Sequence, residues 1–244
     1  MHIYIYDQFL NQRKYDKIVS KIETRVTDLG LGGKNCHVGP LKSLRSIVKD
    51  ELRNNPKTFI AVGNNKTLSE IVNALGDEDV AVGIIPVGPN NSIASTLGIK
   101  NEDNACNILS ARLIEKIDLG VINENYFISS AIINTQGTII EVNEQYTMEP
   151  IGVGTVEIIN LNTQREQSAV SPQDGILETF IEITQKKLLS KTSNQSFLRS
   201  NRLIINNLNN KNFIIDNSVE IKTPVQVGVI PDRLSIIVGK ERKF

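Results

Sequence analysis

From Met1 to about Leu113 the apolar residues alternate between short β-type runs and stripes of helical period. His2–Tyr6 reads as a strand, and Tyr15, Ile18, Val19, Ile22, Val26 and Leu29 then recur at a spacing that lays one apolar face of a helix on a sheet. A short run at Cys36–Val38 precedes a second helix with Leu44, Ile47, Val48 and Leu52 on one face, and Thr58–Val62 is the next strand. Thr67–Leu75 predicts a third helix, in which Thr67 and Glu70 form a capping-box pair and Leu68, Ile71, Val72 and Leu75 make the buried face. Val80–Pro86 is apolar enough to be buried on both faces, and Ser92–Leu97 and Asn104–Leu113 continue as helices. This alternation predicts an α/β layer with a parallel sheet.

Beyond Lys116 the rhythm changes to β-branched, alternating runs at Tyr126–Asn134, Thr138–Val142, Thr155–Leu161, Ile176–Ile183, Leu203–Asn207, Phe213–Ile215, Val225–Ile230 and Leu234–Val238. Short strands without helices between them predict a β-sandwich. The expected boundary lies near Ile117, giving domains 1–117 and 118–244. Lys186–Arg199 is polar throughout and is expected to be a surface loop or short helix.

Composition narrows the function. Lys plus Arg equals Asp plus Glu at 27 each, which lacks the positive field of a nucleic-acid binder. Cys36 and Cys106 lie far apart without a CxxC spacing, so a reducing compartment is expected and a zinc site is not. The start MHIYIYDQF has neither the basic leader nor the apolar length of a signal peptide. No apolar stretch reaches the roughly 20 residues of a membrane helix. The expectation is a cytoplasmic protein, with peripheral membrane contact and a homodimer both left open.

Two strand-to-helix turns have the placement of phosphate sites, because helix N-terminal amides point out of such turns. They are Gly63-Asn64-Asn65-Lys66-Thr67 and Pro86-Val87-Gly88-Pro89-Asn90-Asn91-Ser92. Most turns of this kind in α/β proteins bind nothing, so placement alone does not decide.

The residues around them do. TFIAVGNNKTLSEIVNAL (Thr58–Leu75) resembles the segment of soluble diacylglycerol kinases in which Gly-Gly-Asp-Gly-Thr precedes Leu-Asn-Glu-Val-Val-Asn, and GIIPVGPNNSIASTLGI resembles the Gly-Ile-(Ile/Leu)-Pro-Leu-Gly-Thr-Gly-Asn-Asp segment after it. KIDLGVINENYF (Lys116–Phe127), SPQDGILETFI (Ser171–Ile181) and FIIDNSVEIKTPVQVGVIPDRLSIIV (Phe213–Val238) are similar, in the same order, to later segments of that family. The resemblance implies a Rossmann-like α/β domain followed by a β-sandwich, as in the NAD kinase and diacylglycerol kinase superfamily. It also implies ATP, with Mg2+, passing its γ-phosphoryl group to a lipid hydroxyl or another small alcohol.

Carried over residue by residue, the resemblance assigns nucleotide contacts to Gly63, Asn64, Asn65, Lys66, Thr67, Gly88, Pro89 and Asn91. Gly63, Thr67, Gly88 and Asn91 keep the family residue. Asn65 replaces the site-organising Asp, Asn64 and Lys66 replace glycines, and Pro89 stands where the family has Thr, losing a hydroxyl and a backbone donor. Asn cannot offer a metal a full negative charge. Lys66 reads as a phosphate contact or a solvated loop residue, and Ser92, where the family has Asp, as a helix N-cap. The family's catalytic Glu in Asp-Gly-Glu aligns with Ser218, after Asp216 and Asn217, so the catalytic positions are Asn65, Asp216 and Ser218, with Asp216 or Glu220 as substitutes if the strand slips. A structural magnesium is implied at Asp174 with the backbone oxygens of Ser171 and Ile176, although Asp before Gly is also an ordinary turn residue. Asp118 reads as an interdomain contact or a site residue.

Three functions follow from this pattern. One is a lipid kinase with a rearranged site, another a pseudokinase that binds nucleotide or lipid, and the third a divergent NAD kinase. Loss of a base alone removes on the order of 10²- to 10⁴-fold in rate, which favours the pseudokinase.

Overall fold

The computed structural model describes residues 1–164, 170–187 and 190–244. The chain divides into two compact units, Met1–Ile117 with Arg233–Phe244, and Asp118–Asp232.

In the first unit β1 (His2–Tyr6), α1 (Asp16–Asp28), β2 (Gly33–His37), α2 (Leu44–Leu52), β3 (Thr58–Gly63), α3 (Asn65–Leu75), β4 (Ala81–Pro86), α4 (Ser92–Thr96) and α5 (Glu102–Ala111) alternate as strand and helix. The strands run parallel in the order β2-β1-β3-β4, with His2 opposite Gly33 and Thr58, and Thr58 opposite Ala81. β3 and β4 are buried at every position, which is why they read as continuous apolar runs rather than alternating ones. The chain winds from β1 to β2 on one side and then crosses to β3 on the other. The carboxyl ends of β1 and β3 therefore flank a topological switch point, where open α/β sheets leave a crevice for ligands. Both candidate turns leave the sheet at that end.

α3 begins two residues before the expected start. Asn64 is its N-cap, accepting from the Lys66 and Thr67 amides, and Thr67 closes the capping box from the third helical position. Glu70 pairs instead with Lys66, 3.7 Å away along the helix.

The second unit contains strands from β5 (Ile114–Ile122), β6 (Asn125–Phe127), β7 (Ser130–Asn134), β8 (Thr138–Val142), β9 (Tyr146–Met148), β10 (Val153–Ile159), β11 (Leu177–Lys187), β12 (Ser190–Ser200), β13 (Arg202–Asn207), β14 (Asn212–Ile215), β15 (Val219–Lys222) and β16 (Val225–Ile237). One sheet runs β12-β11-β10-β7-β14-β15, antiparallel throughout. In the other, β16, β13, β8 and β9 follow one another, also antiparallel. Ile133, Val156, Ile158, Leu177 and Phe213 of the first sheet share one core with Ile140, Val142, Leu203, Ile205 and Val227 of the second, so the unit is a sandwich.

Two sequence expectations differ from the structure. The segment expected as a loop over Lys186–Arg199 instead ends β11 and forms β12, with residues 188–189 outside the described residues. From Ser193 to Phe197 this strand is exposed, so its residues carry no buried-face pattern while its backbone is satisfied by the ladder to β11. Arg233–Phe244, expected in the second domain, belongs to the first unit, where Ile236 pairs parallel with Val82. Among the described residues no helix is long and apolar enough to cross a membrane.

Candidate functional site

β3 ends on Gly63, whose hydrogen faces the Thr67 side chain. A Cβ there would stand 2.3 Å from Thr67 Oγ1 and 3.2 Å from the Asp7 side chain, so only glycine fits. Thr67 Oγ1 donates to Asp7 Oδ2 at 2.6 Å and accepts from the Asn64 amide at 3.1 Å, tying the start of α3 to the end of β1. Asn64 Oδ1 in turn accepts from the Lys66 amide at 3.0 Å and the Thr67 amide at 3.4 Å. The helix amides that would point at a phosphate are thus satisfied by the turn itself.

The second turn lies directly beside the first. The Val87 amide donates to Gly63 O at 2.7 Å, and the Asn65 amide donates to Asn90 O at 3.0 Å. Asn65, which is buried, joins the turns with both ends of its side chain: Nδ2 donates to Ser92 Oγ at 2.9 Å and Oδ1 accepts from the Ile93 amide at 3.1 Å. Ser92 is therefore the first residue of α4 and not its cap; Asn91 holds the cap position, with its Nδ2 donating to Gly88 O at 2.7 Å. Gly88 has φ +76°, and a Cβ on it would press on the Phe9 ring at 3.2 Å. Pro89 offers no N–H.

A cavity of about 540 Å³ opens beside the first turn, lined by Asp7, Gln8, Phe9, Gln12, Val38, Leu44, Asn64, Lys66 and Glu70. Lys66 is the one cation within the two turns and is 60% exposed. Burial, helped by Asp7, pushes the Glu70 carboxyl above its ordinary value, and the Lys66 ammonium only partly opposes this. Asp7, Glu70 and Lys66 thus share the wall of this cavity. Asp7 and Phe9 were missed by the sequence reading. The available signal was their position immediately after β1, at the carboxyl edge of the sheet.

The remaining candidates lie in the second unit. Asp216 and Asn217 both have positive φ, 45° and 56°, and with Ser218 make the three-residue turn between β14 and β15, in which the Ser218 amide donates to Ile215 O at 2.9 Å. The buried Asp216 carboxylate accepts from the amides of Ile128 (2.9 Å), Ser129 (2.8 Å) and Ser130 (3.3 Å) and from Ser129 Oγ (2.7 Å). Glu220 sits opposite Ile214 in the ladder and accepts from Asn212 Nδ2 at 2.9 Å, so its register is fixed. In the Ser171–Ile176 turn, Asp174 Oδ1 accepts from the Ile176 amide at 3.1 Å and Oδ2 takes the Arg199 guanidinium. Asp118 is buried and clamps the same turn, its Oδ2 accepting from the Gly175 amide at 2.8 Å and Oδ1 from the Asp232 amide at 2.9 Å. Its role is internal to this unit.

The diacylglycerol kinase catalytic domain family matches residues 3–122, the stretch holding both turns. Residues 3–122 belong to this family. The chain is 40% identical over 77 residues to a diacylglycerol kinase of Bacillus subtilis, covering 30% of this chain and 25% of the relative. It is 26% identical over 119 residues to a putative lipid kinase of Streptococcus pneumoniae, covering 48% of this chain and 37% of the relative. These matches thus span between a quarter and just over a third of the relatives' length. A diacylglycerol kinase crystal structure from Bacillus anthracis superposes with a TM-score of 0.82 at 16% identity, covering 99% of this chain and 98% of that one. A putative diacylglycerol kinase from the same organism gives 0.81 at 16%, again covering 99% and 98%. At that identity the likeness establishes the fold.

One glycine in each turn, Gly63 and Gly88, and the threonine Thr67 shape the pair. Neither turn contains a carboxylate, and the polar side chains of Asn64, Asn65, Thr67, Asn91 and Ser92 hydrogen-bond to other protein groups. The pair of turns can hold its own shape and present Lys66. It has no group of its own to organise a dication.

Proposed function

We propose that this chain is a lipid kinase-family protein that has kept the scaffold and given up phosphoryl transfer, binding nucleotide or lipid without turnover. The observation that carries this reading is the cross-link made by Asn65. The residue at the position of the family's site-organising Asp is neutral, and both ends of its side chain are engaged in joining the turns. Ser218, at the position of the family's base, is a hydroxyl of high pKa in a hairpin turn, and neither Asp216 nor Glu220 is free to replace that base. The cavity beside Asn64 and Lys66, with Phe9 in its wall, is the place proposed for a bound nucleotide.

These residues do not fit magnesium at the turns, so nucleotide binding here is independent of the metal. Titrating ATP against melting temperature, once in EDTA and once in magnesium, tests this, since a ligand that binds the folded state raises its stability by mass action. The same rise in both buffers is expected. A rise seen only with magnesium would overturn the reading.

A second reading, an active lipid kinase with a rearranged site, is favoured by the two carboxylates Asp7 and Glu70 beside Lys66 in the cavity wall. It requires ADP release that depends on a lipid acceptor.

A further inference from the structure

The second unit contains a charge cluster that neither reading uses. Glu178 and Arg199 stand opposite one another in the β11–β12 ladder, so their side chains share one face of the sheet. Asp174 lies in the turn just before β11. The Arg199 guanidinium reaches both acids, with Nη2 donating to Asp174 Oδ2 and Nε 3.2 Å from Glu178 Oε1. Glu178 is only 3% exposed. Its ladder partner on the other side is Ile159, which forms a small apolar cluster with Val170 and Phe180. A carboxylate cannot remain charged in such a place without a cation beside it.

A magnesium at Asp174, with backbone oxygens of Ser171 and Ile176, does not fit this arrangement. A hard dication needs about six oxygen ligands, anchored by carboxylate lone pairs that face it. Here one oxygen of Asp174 is engaged by the Ile176 amide and the other by a guanidinium, whose positive charge would repel an incoming ion. Among the described residues no group of three or more His, Cys, Asp and Glu side chains could hold a metal. A guanidinium, by contrast, is always charged and carries five N–H donors in a rigid fork, which suits two carboxylates approaching from different directions.

We propose that Arg199 is a built-in cation: its guanidinium does the neutralising that a divalent metal would do between Asp174 and Glu178, and so frees the sandwich from any metal requirement. The proposal goes beyond the functional reading, because it holds whether or not the chain transfers phosphate. It also implies a latent site. Truncating Arg199 leaves the two acids facing a vacated space of negative potential, with Glu178 Oε2 already lacking a hydrogen-bond partner. That space should then accept magnesium or calcium.

The test uses the full chain and follows thermal unfolding in EDTA, in millimolar magnesium and in millimolar calcium. The wild type is expected to melt at one temperature in all three. Arg199→Ala is expected to melt several degrees lower in EDTA and to recover with either cation, whereas Arg199→Lys keeps most of the wild-type midpoint in EDTA. In Glu178→Gln/Arg199→Ala the surplus charge is gone, so stability returns without cation and the cation response shrinks. The proposal is overturned if EDTA lowers the wild-type midpoint, or if folded Arg199→Ala is indifferent to both cations. Should Arg199→Ala not fold by itself, the double variant decides: folding in EDTA supports the built-in cation, and failure to fold overturns it.

Discussion

The side-chain amide of Asn65 donates to Ser92 Oγ at 2.9 Å, so the first residue of α3 is bonded to the first residue of α4 across the two turns. The other end of the same side chain receives the Ile93 amide, a buried donor with no helical carbonyl to bond. One neutral residue thereby fixes the spacing of the pair.

Asn65→Ala should cost about 1–3 kcal/mol, because it leaves the buried Ile93 amide without its acceptor. Asn65→Asp should cost less, since the Ser92 hydroxyl can turn round and donate to the new carboxylate. Urea unfolding of the two variants beside wild type checks the order.

Asn64→Ala removes the cap from α3 and should destabilise by about 1 kcal/mol. It also releases the Lys66 and Thr67 amides, so inorganic phosphate should protect this variant against thermal unfolding more than it protects the wild type. Melting curves with and without phosphate give the comparison.

Asp216→Ala should be among the most damaging single changes in the sandwich, at roughly 3 kcal/mol or more. It removes the acceptor for the Ile128, Ser129 and Ser130 amides and for Ser129 Oγ, and it places alanine at a positive φ. Chemical denaturation measures it. A loss near zero would show that Asp216 is not the anchor described above.

Acid should find a weak point in the first unit. Hydrogen bonds from Lys34, at 2.6 Å, and then from Asn54 hold the buried Glu51 carboxyl below its ordinary value. A carboxyl whose folded value lies below its unfolded value contributes stability above the unfolded value, and that contribution is lost as pH falls through the folded one. Stability should therefore drop below about pH 4.5. Lys34→Met should flatten that acid limb, as seen in urea midpoints measured across the range.

The parallel layer was legible because β3 and β4, covered on both faces, leave unbroken apolar runs, and because α1 and α2 carry single buried stripes. The cap of α3 was misplaced for a local reason: Asn64 and Thr67 are both good caps, and the sequence does not show which one receives amides. β12 and β15 escaped notice because exposed strands are held by their ladders and need no apolar alternation. Leu234–Val238 reads as a strand, but its pairing with β4 is a long-range fact that no local pattern encodes. The same holds at the site. Both turns announce themselves by sequence, whereas Asp7 joins them only through the packing of β1 against β3.

The most direct measurement is the initial rate of phosphate transfer from γ-labelled ATP to diacylglycerol in mixed micelles, with magnesium present and an active diacylglycerol kinase as the standard. The account predicts no labelled phosphatidic acid above the protein-free blank. Magnesium-dependent product that disappears in Thr67→Ala would contradict it.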